Sequence, residues 1–242
     1  MKRLFIVLMG CFTVFTAYSQ DMKRNASPFH LGLDLQTKYI WRGMEMMTSD
    51  AAPVLFPGMI YSRGGFSAYV MGGYAINGKY SEVDMGLCYT YHWITFGVND
   101  YYYPTTTVPY DTYLHFKGTE TGHWLEGVLT VAPERIPVYL TLSNFFYGAD
   151  KDLEGKQAWS TYAELGGHFD FLDDHSLSLA MGVALNRSCY NGYEHDFGVC
   201  NVELKYTYNL ALKGLTLPLG AAFIFNPVYE KAHVNFTASF AF

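Results

Sequence analysis

Phe29-His-Leu-Gly-Leu-Asp-Leu-Gln-Thr-Lys-Tyr-Ile-Trp-Arg42 is the stretch on which the fold turns. One parity reads Phe29, Leu31, Leu33, Leu35, Thr37, Tyr39 and Trp41; the other reads His30, Gly32, Asp34, Gln36, Lys38, Ile40 and Arg42. Successive side chains of a strand point to opposite faces, so this period of two predicts a strand with one greasy and one polar face. The stretch outruns the five or six residues of an ordinary globular strand and suits a tilted membrane strand, which needs about nine to eleven.

Outward from this stretch the pattern recurs. Val83, Met85, Leu87, Tyr89, Tyr91 and Trp93 alternate with Glu82, Asp84, Gly86, Cys88, Thr90 and His92, and Leu177, Leu179, Met181 and Val183 alternate with Ser, Ala and Gly. Twelve such segments are predicted, at 29–42, 52–62, 65–75, 80–93, 94–103, 121–132, 137–147, 158–171, 175–187, 196–210, 215–226 and 231–242. The links between them run long, short, long, short: 43–51, 76–79, 104–120, 148–157, 188–195 and 227–230 form the long set, while the short set falls near 63–64, 92–95, 133–136, 172–174 and 211–214. Outer-membrane barrels alternate long outside loops with tight periplasmic turns in this way. The expectation is an all-β, closed antiparallel transmembrane β-barrel of about 12 strands, with both termini periplasmic.

The chain begins with Lys2 and Arg3, an apolar run from Leu4 to Phe15, and the small-x-small triplet Ala17-Tyr18-Ser19. These are the three parts of a secretory signal peptide, and the run is too short for a helical span, which needs about twenty residues. Residues 1–19 are therefore expected to be removed and 20–242 to form the barrel. Losing Lys2 and Arg3 from the 16 basic side chains leaves 14 against 22 acidic ones, which argues against a nucleic-acid partner. Cys88, Cys189 and Cys200 remain, too few and too irregularly spaced for a disulfide scaffold or a zinc site, although Cys189 and Cys200 flank one loop with the same parity. A soluble barrel or sandwich would alternate too, but with a water-facing parity full of Lys and Glu; here the polar parity is rich in Gly, Ser, Ala and Thr.

Aromatic placement points the same way, because Tyr and Trp settle where a ring meets lipid and a polar tip meets water. Tyr39, Trp41, Trp93 and Trp159 fall near predicted strand ends on the outward parity, as interface anchors would; Trp124 falls on the inward one. The last residues place Phe236, Phe240 and Phe242 at alternating positions up to the C-terminus. They resemble the β-signal read by the outer-membrane insertion machinery. Membrane lipids, lipopolysaccharide and that machinery are the partners this implies.

Thr37-Lys38-Tyr39-Ile40-Trp41-Arg42-Gly43, with Pro53-Val54, Gly64 to Tyr69 and the segment from Glu82 to Tyr103, resembles the N-terminal third of the TorF-like porin family. The resemblance implies a barrel with possible passage of small solutes, and brings no catalytic residue and no cofactor. In that setting Arg42 is expected at the lumen mouth and Gly43 at the turn into a loop.

The inward parity collects Asp34, Lys38, Arg42, Glu82, Asp84, Glu126, Glu164, Glu203 and Lys205 as expected pore-lining residues. An acidic ring of Glu82, Asp84, Glu126 and Glu164 beside a basic first strand would favour cations in a water-filled pore; the same groups could instead pair across a narrow lumen and close it. Two other functions compete. An outer-membrane hydrolase would need acids or Ser converging with His, and Asp173-Asp174-His175, His115, His123 and His195 are the available histidine sites. An adhesive barrel would use loop aromatics such as Tyr101 to Pro104 and Tyr190 to Tyr193.

Overall fold

A computed structural model describes residues 27–47, 50–104, 112–118 and 120–242. The expected signal peptide lies outside the described residues. Twelve strands close into one antiparallel barrel: β1 (Phe29–Gln36), β4 (Val54–Arg63), β5 (Phe66–Ala75), β6 (Ser81–Tyr91), β7 (Ile94–Tyr102), β8 (His123–Val131), β9 (Val138–Gly148), β10 (Thr161–Leu172), β11 (His175–Ala184), β12 (Gly198–Leu212), β13 (Leu215–Asn226) and β14 (Lys231–Ala241). Two short strands, β2 (Ile40–Trp41) and β3 (Met44–Glu45), form a separate hairpin.

Each barrel strand pairs with its sequence neighbours, and β1 closes the ring against β14, from Gly32 opposite Ala241 to Gln36 opposite Thr237. Closure leaves no open edge, so the ladder satisfies the backbone groups that hydrocarbon cannot. At the seam, Asn235 donates to the Gln36 side chain at 3.2 Å and accepts from Thr37 Oγ1 at 3.0 Å. Both described ends of the chain lie where the short turns lie.

The two parities separate cleanly. Leu87, Phe96, Leu140, Leu165, Phe223 and Phe236 are exposed on the outside, whereas Asp34, Glu82, Ser143, Glu164 and Ser239 are buried on the inside. Exposed apolar side chains in a continuous belt would be a severe liability in water. A closed barrel with such a surface crosses a membrane through its strands, the arrangement of bacterial outer-membrane proteins.

The first predicted strand is corrected. It stops at Gln36, and the chain from Thr37 onward bends into the barrel instead of continuing along the wall to Arg42. Trp41 opposite Met44 leaves Arg42-Gly43 as a two-residue turn with φ of 49° and 79°, the primed type that fits the twist of a tight hairpin. Gly43 is required twice over: its φ is left-handed, and a Cβ there would stand 1.9 Å from the Cys200 carbonyl oxygen.

Candidate functional site

The inward hairpin carries Arg42 to the middle of the lumen. Its guanidinium donates to both Glu126 oxygens, at 2.5 Å and 3.1 Å, and to the Tyr190 hydroxyl. Tyr101 and Asn99 also donate to Glu126 Oε2, at 2.8 Å and 3.3 Å. The guanidinium carbon sits 4.5 Å from the Trp41 ring centroid and 4.7 Å from that of Tyr162. A forked cation held bidentately and flanked by rings is the geometry for which arginine is suited and lysine is not.

Aromatic packing completes the plug. Trp41 meets Tyr101 and Tyr190 with centroids 5.7 Å apart in each case, and Trp124 meets Phe145 at 5.2 Å. Tyr162 donates to Glu164, which also accepts from Tyr139 at 2.8 Å and from Asn201 at 3.3 Å. In the half of the barrel nearer the long loops, each of the twelve strands contributes at least one buried inward side chain, from Phe56 on β4 to Asn235 on β14. The lumen is packed shut there.

Two irregularities help to aim these groups. A bulge between Leu125 and Glu126 in the β8–β9 ladder sets Glu126 opposite Phe145, and another beside Gly182 leaves Cys200 as the extra, buried residue of β12. The Asn226 side chain then donates to the Gly43 carbonyl at 3.0 Å, and Lys38 pairs with Glu45 at 3.2 Å across the hairpin base.

The expected site residues therefore divide. Asp34, Glu82, Asp84, Glu126 and Glu164 are buried on the inner wall, with Glu203 and Lys205 inward and partly exposed on β12. Glu82 accepts from Tyr80 at 2.6 Å, but neither oxygen of Asp84 meets a donor among the described residues. Arg42 is not at the mouth but inside the plug. Tyr39 and Trp41 are not lipid anchors: they are 3 % and 6 % exposed, because the hairpin turns them from the wall into the lumen. Trp93 and Trp159 are exposed at the short-turn and long-loop ends, and Phe236, Phe240 and Phe242 lie on the outward parity of β14 and its end.

Other expectations are also revised. Tyr101 and Tyr190 are buried in the plug, not displayed on loops. As the spacing suggests, the cysteines form no disulfide scaffold: Cys88, Cys189 and Cys200 are free thiols. His123 lies outside the wall, holding Asp100 at 2.8 Å and covered by Phe116 at 4.0 Å between ring centroids. Parity alone missed Tyr190 and Tyr162 as partners of Arg42 and Phe145 as a neighbour of Trp41; the sequence hint was the Arg-Gly pair after two aromatics, which reads as a tight turn.

Above the plug, at the long-loop mouth, lies a cavity of about 470 Å³ lined by residues that include Trp41, Met44, Tyr103, Trp124, Phe145 and Tyr229. Burial pushes the Cys189 thiol and the Tyr229 hydroxyl above their ordinary ranges, so both of these wall groups are neutral at pH 7.

No family model and no curated protein matches this chain. Among solved structures, one from a study of in-meso crystallization of membrane proteins overlays with a TM-score of 0.51 at 9% identity, covering 88% of this chain and 83% of that one. An outer membrane channel of Pseudomonas putida F1 gives 0.46 at 13% identity, covering 91% and 97%, and the translocator domain of the autotransporter NalP from Neisseria meningitidis gives 0.43 at 10%, covering 93% and 92%.

Proposed function

We propose that this chain is an outer-membrane channel of the porin class for small solutes, kept shut at rest by its own inward hairpin. The observation that carries the reading is the buried Arg42–Glu126 pair: it joins the hairpin to the wall at the centre of the aromatic plug, in a barrel whose other half is lined by hydroxyls and other small polar side chains. Passage then requires the hairpin to leave its seat. A buried ion pair is a plausible latch because it is favourable only in one geometry and costly when broken.

The same reading sets the long loops outside the cell and both termini in the periplasm after residues 1–19 are removed. Trp93 and Trp159 then anchor the two interfaces, lipids and lipopolysaccharide surround the belt, and Phe236, Phe240 and Phe242 serve the insertion machinery. On this reading the gate is the Thr37 to Gly43 element, which resembles the end of the first strand of the TorF-like porins. Once open, the lumen prefers cations weakly: Asp84 has no counter-ion among the described residues, and Asp34, Glu82 and Glu164 share its wall. The reading assigns no catalytic residue, cofactor or metal.

A second reading, a structural barrel that never opens, is favoured by the completeness of the packing around Arg42. Planar-bilayer recording under a salt gradient separates the two. The native chain is expected to be silent or to flicker, and Gly43→Ala to conduct with a cation-sided reversal potential. A silent Gly43→Ala barrel that remains folded selects the structural reading, and an anion-sided potential removes the cation preference.

A further inference from the structure

We propose that the cavity at the long-loop mouth binds a small organic anion with a flat apolar body, of the aromatic monocarboxylate class, with its ring among Trp41, Trp124 and Phe145 and its carboxylate on Lys231. The volume of about 470 Å³ lies in the ordinary range of small-molecule sites, roughly 300–1,000 Å³. Its walls come from separate parts of the fold: Trp41 and Met44 from the hairpin, Trp124 from β8, Phe145 from β9 and Tyr229 from the loop before β14. Rings on several sides favour a flat occupant, and a thioether adapts to its edge.

Charge selects the sign. Glu45 and Lys231 are the acidic and basic side chains among the lining residues, and the Glu45 carboxylate is already paired with Lys38 at 3.2 Å. Lys231 forms no ion pair among the described residues, which leaves one uncompensated cation at the rim of an apolar cavity. An anion entering from water needs such a partner to offset its desolvation, and an organic cation would find no free carboxylate. A sugar would find few donors and acceptors on walls made mostly of carbon and sulfur.

The floor of this cavity is the hairpin that shuts the lumen, so an occupant bears directly on the plug; that link rests on the gated-channel reading, but binding does not. The test uses the full chain refolded in detergent micelles and titrated with benzoate, benzyl alcohol and benzylamine. Tryptophan fluorescence and calorimetry are read on the same sample. Benzoate is expected to saturate, benzyl alcohol to bind more weakly and benzylamine not to bind. Lys231→Met, at an exposed position, is expected to weaken benzoate about tenfold or more and to leave benzyl alcohol unchanged. Absence of saturable benzoate binding overturns the proposal, as does benzylamine binding as tightly as benzoate or a Lys231→Met variant with native benzoate affinity. No current is measured, so a barrel that binds benzoate yet never conducts defeats the gated channel alone.

Discussion

Toward the short turns, the inner wall carries hydroxyls that pair across neighbouring strands: Ser62 with Ser67 at 2.9 Å, Thr90 with Thr95 at 2.9 Å and Thr130 with Thr141 at 2.8 Å. Toward the long loops, the same parity carries Phe56, Tyr101, Phe145 and Tyr162 around Arg42. Alternation runs through both halves, broken locally by bulges, as in β9 and β12 near the long loops, so it decides which side chains face inward and nothing more. Closure comes from side-chain size and from a hairpin that donates a charged residue to the centre. One half is a wall that satisfies itself strand by strand. The other is a core in which the Arg42–Glu126 pair ties the hairpin to β8 amid packed rings.

The strongest way to break this contrast is Glu126→Ala. It leaves a buried guanidinium without its carboxylate, a loss of about 3–5 kcal/mol for pairs of this kind. The hairpin is expected to leave the lumen, lowering the urea midpoint and raising single-channel current many-fold over the native chain. The double variant Arg42→Met with Glu126→Leu sharpens the point, since an apolar replacement of both partners should recover most of the stability and keep the lumen shut. A double variant as leaky as Glu126→Ala would show that the hairpin is held by the bonds of this pair itself and that apolar packing cannot replace them.

Gly43→Ala comes next. The added carbon meets the Cys200 carbonyl and the residue must keep φ near 79°, so a cost of about 1–3 kcal/mol is expected. Here the wall is untouched and only the seat of the hairpin is disturbed. Conductance should therefore rise while the heat-modifiable gel shift of the barrel stays native.

These two positions also mark the boundary of what the sequence discloses. Leu177 to Val183 and Val83 to Tyr91 reveal their strands because the wall is a repeating local object in which each residue's face follows from its parity. Trp124, the one tryptophan whose parity points inward and away from an interface, packs inside the barrel against Phe145 without any shift of register against β7 at that position. Tyr39 and Trp41 continue the parity of β1 without a break, yet they lie in the lumen because the chain leaves the wall after Gln36. That departure is fixed by contacts with Glu126, Tyr190 and Asn226, which are 84, 148 and 183 residues distant from the hairpin groups they meet. No local pattern carries such separations. The acidic parity residues were legible as inward, but which of them would be paired was not.

Asp84→Asn tests that last distinction. Glu126 is buried with an arginine, whereas Asp84 is buried 1 % exposed on the same wall with no donor to either oxygen among the described residues. Neutralising it should raise the unfolding free energy measured by urea titration by about 1 kcal/mol, opposite in sign to Glu126→Ala. In the Gly43→Ala background it should also move the reversal potential toward zero. A loss of stability would mean that a solvent molecule or ion in the lumen partners Asp84.

The smallest effect is expected where the wall is self-sufficient. Among the described residues the Thr130 and Thr141 hydroxyls bond to each other across β8 and β9, so Thr130→Val alone strands one hydroxyl and should cost about 0.5–1.5 kcal/mol. Removing both, with Thr141→Val, deletes donor and acceptor together at nearly constant volume and should return stability close to native. Neither change touches the hairpin, so the closed state should persist in both, as read by current at fixed voltage. If the double valine barrel conducts, the two halves of the lumen are coupled, and the hydroxyl wall takes part in holding the plug.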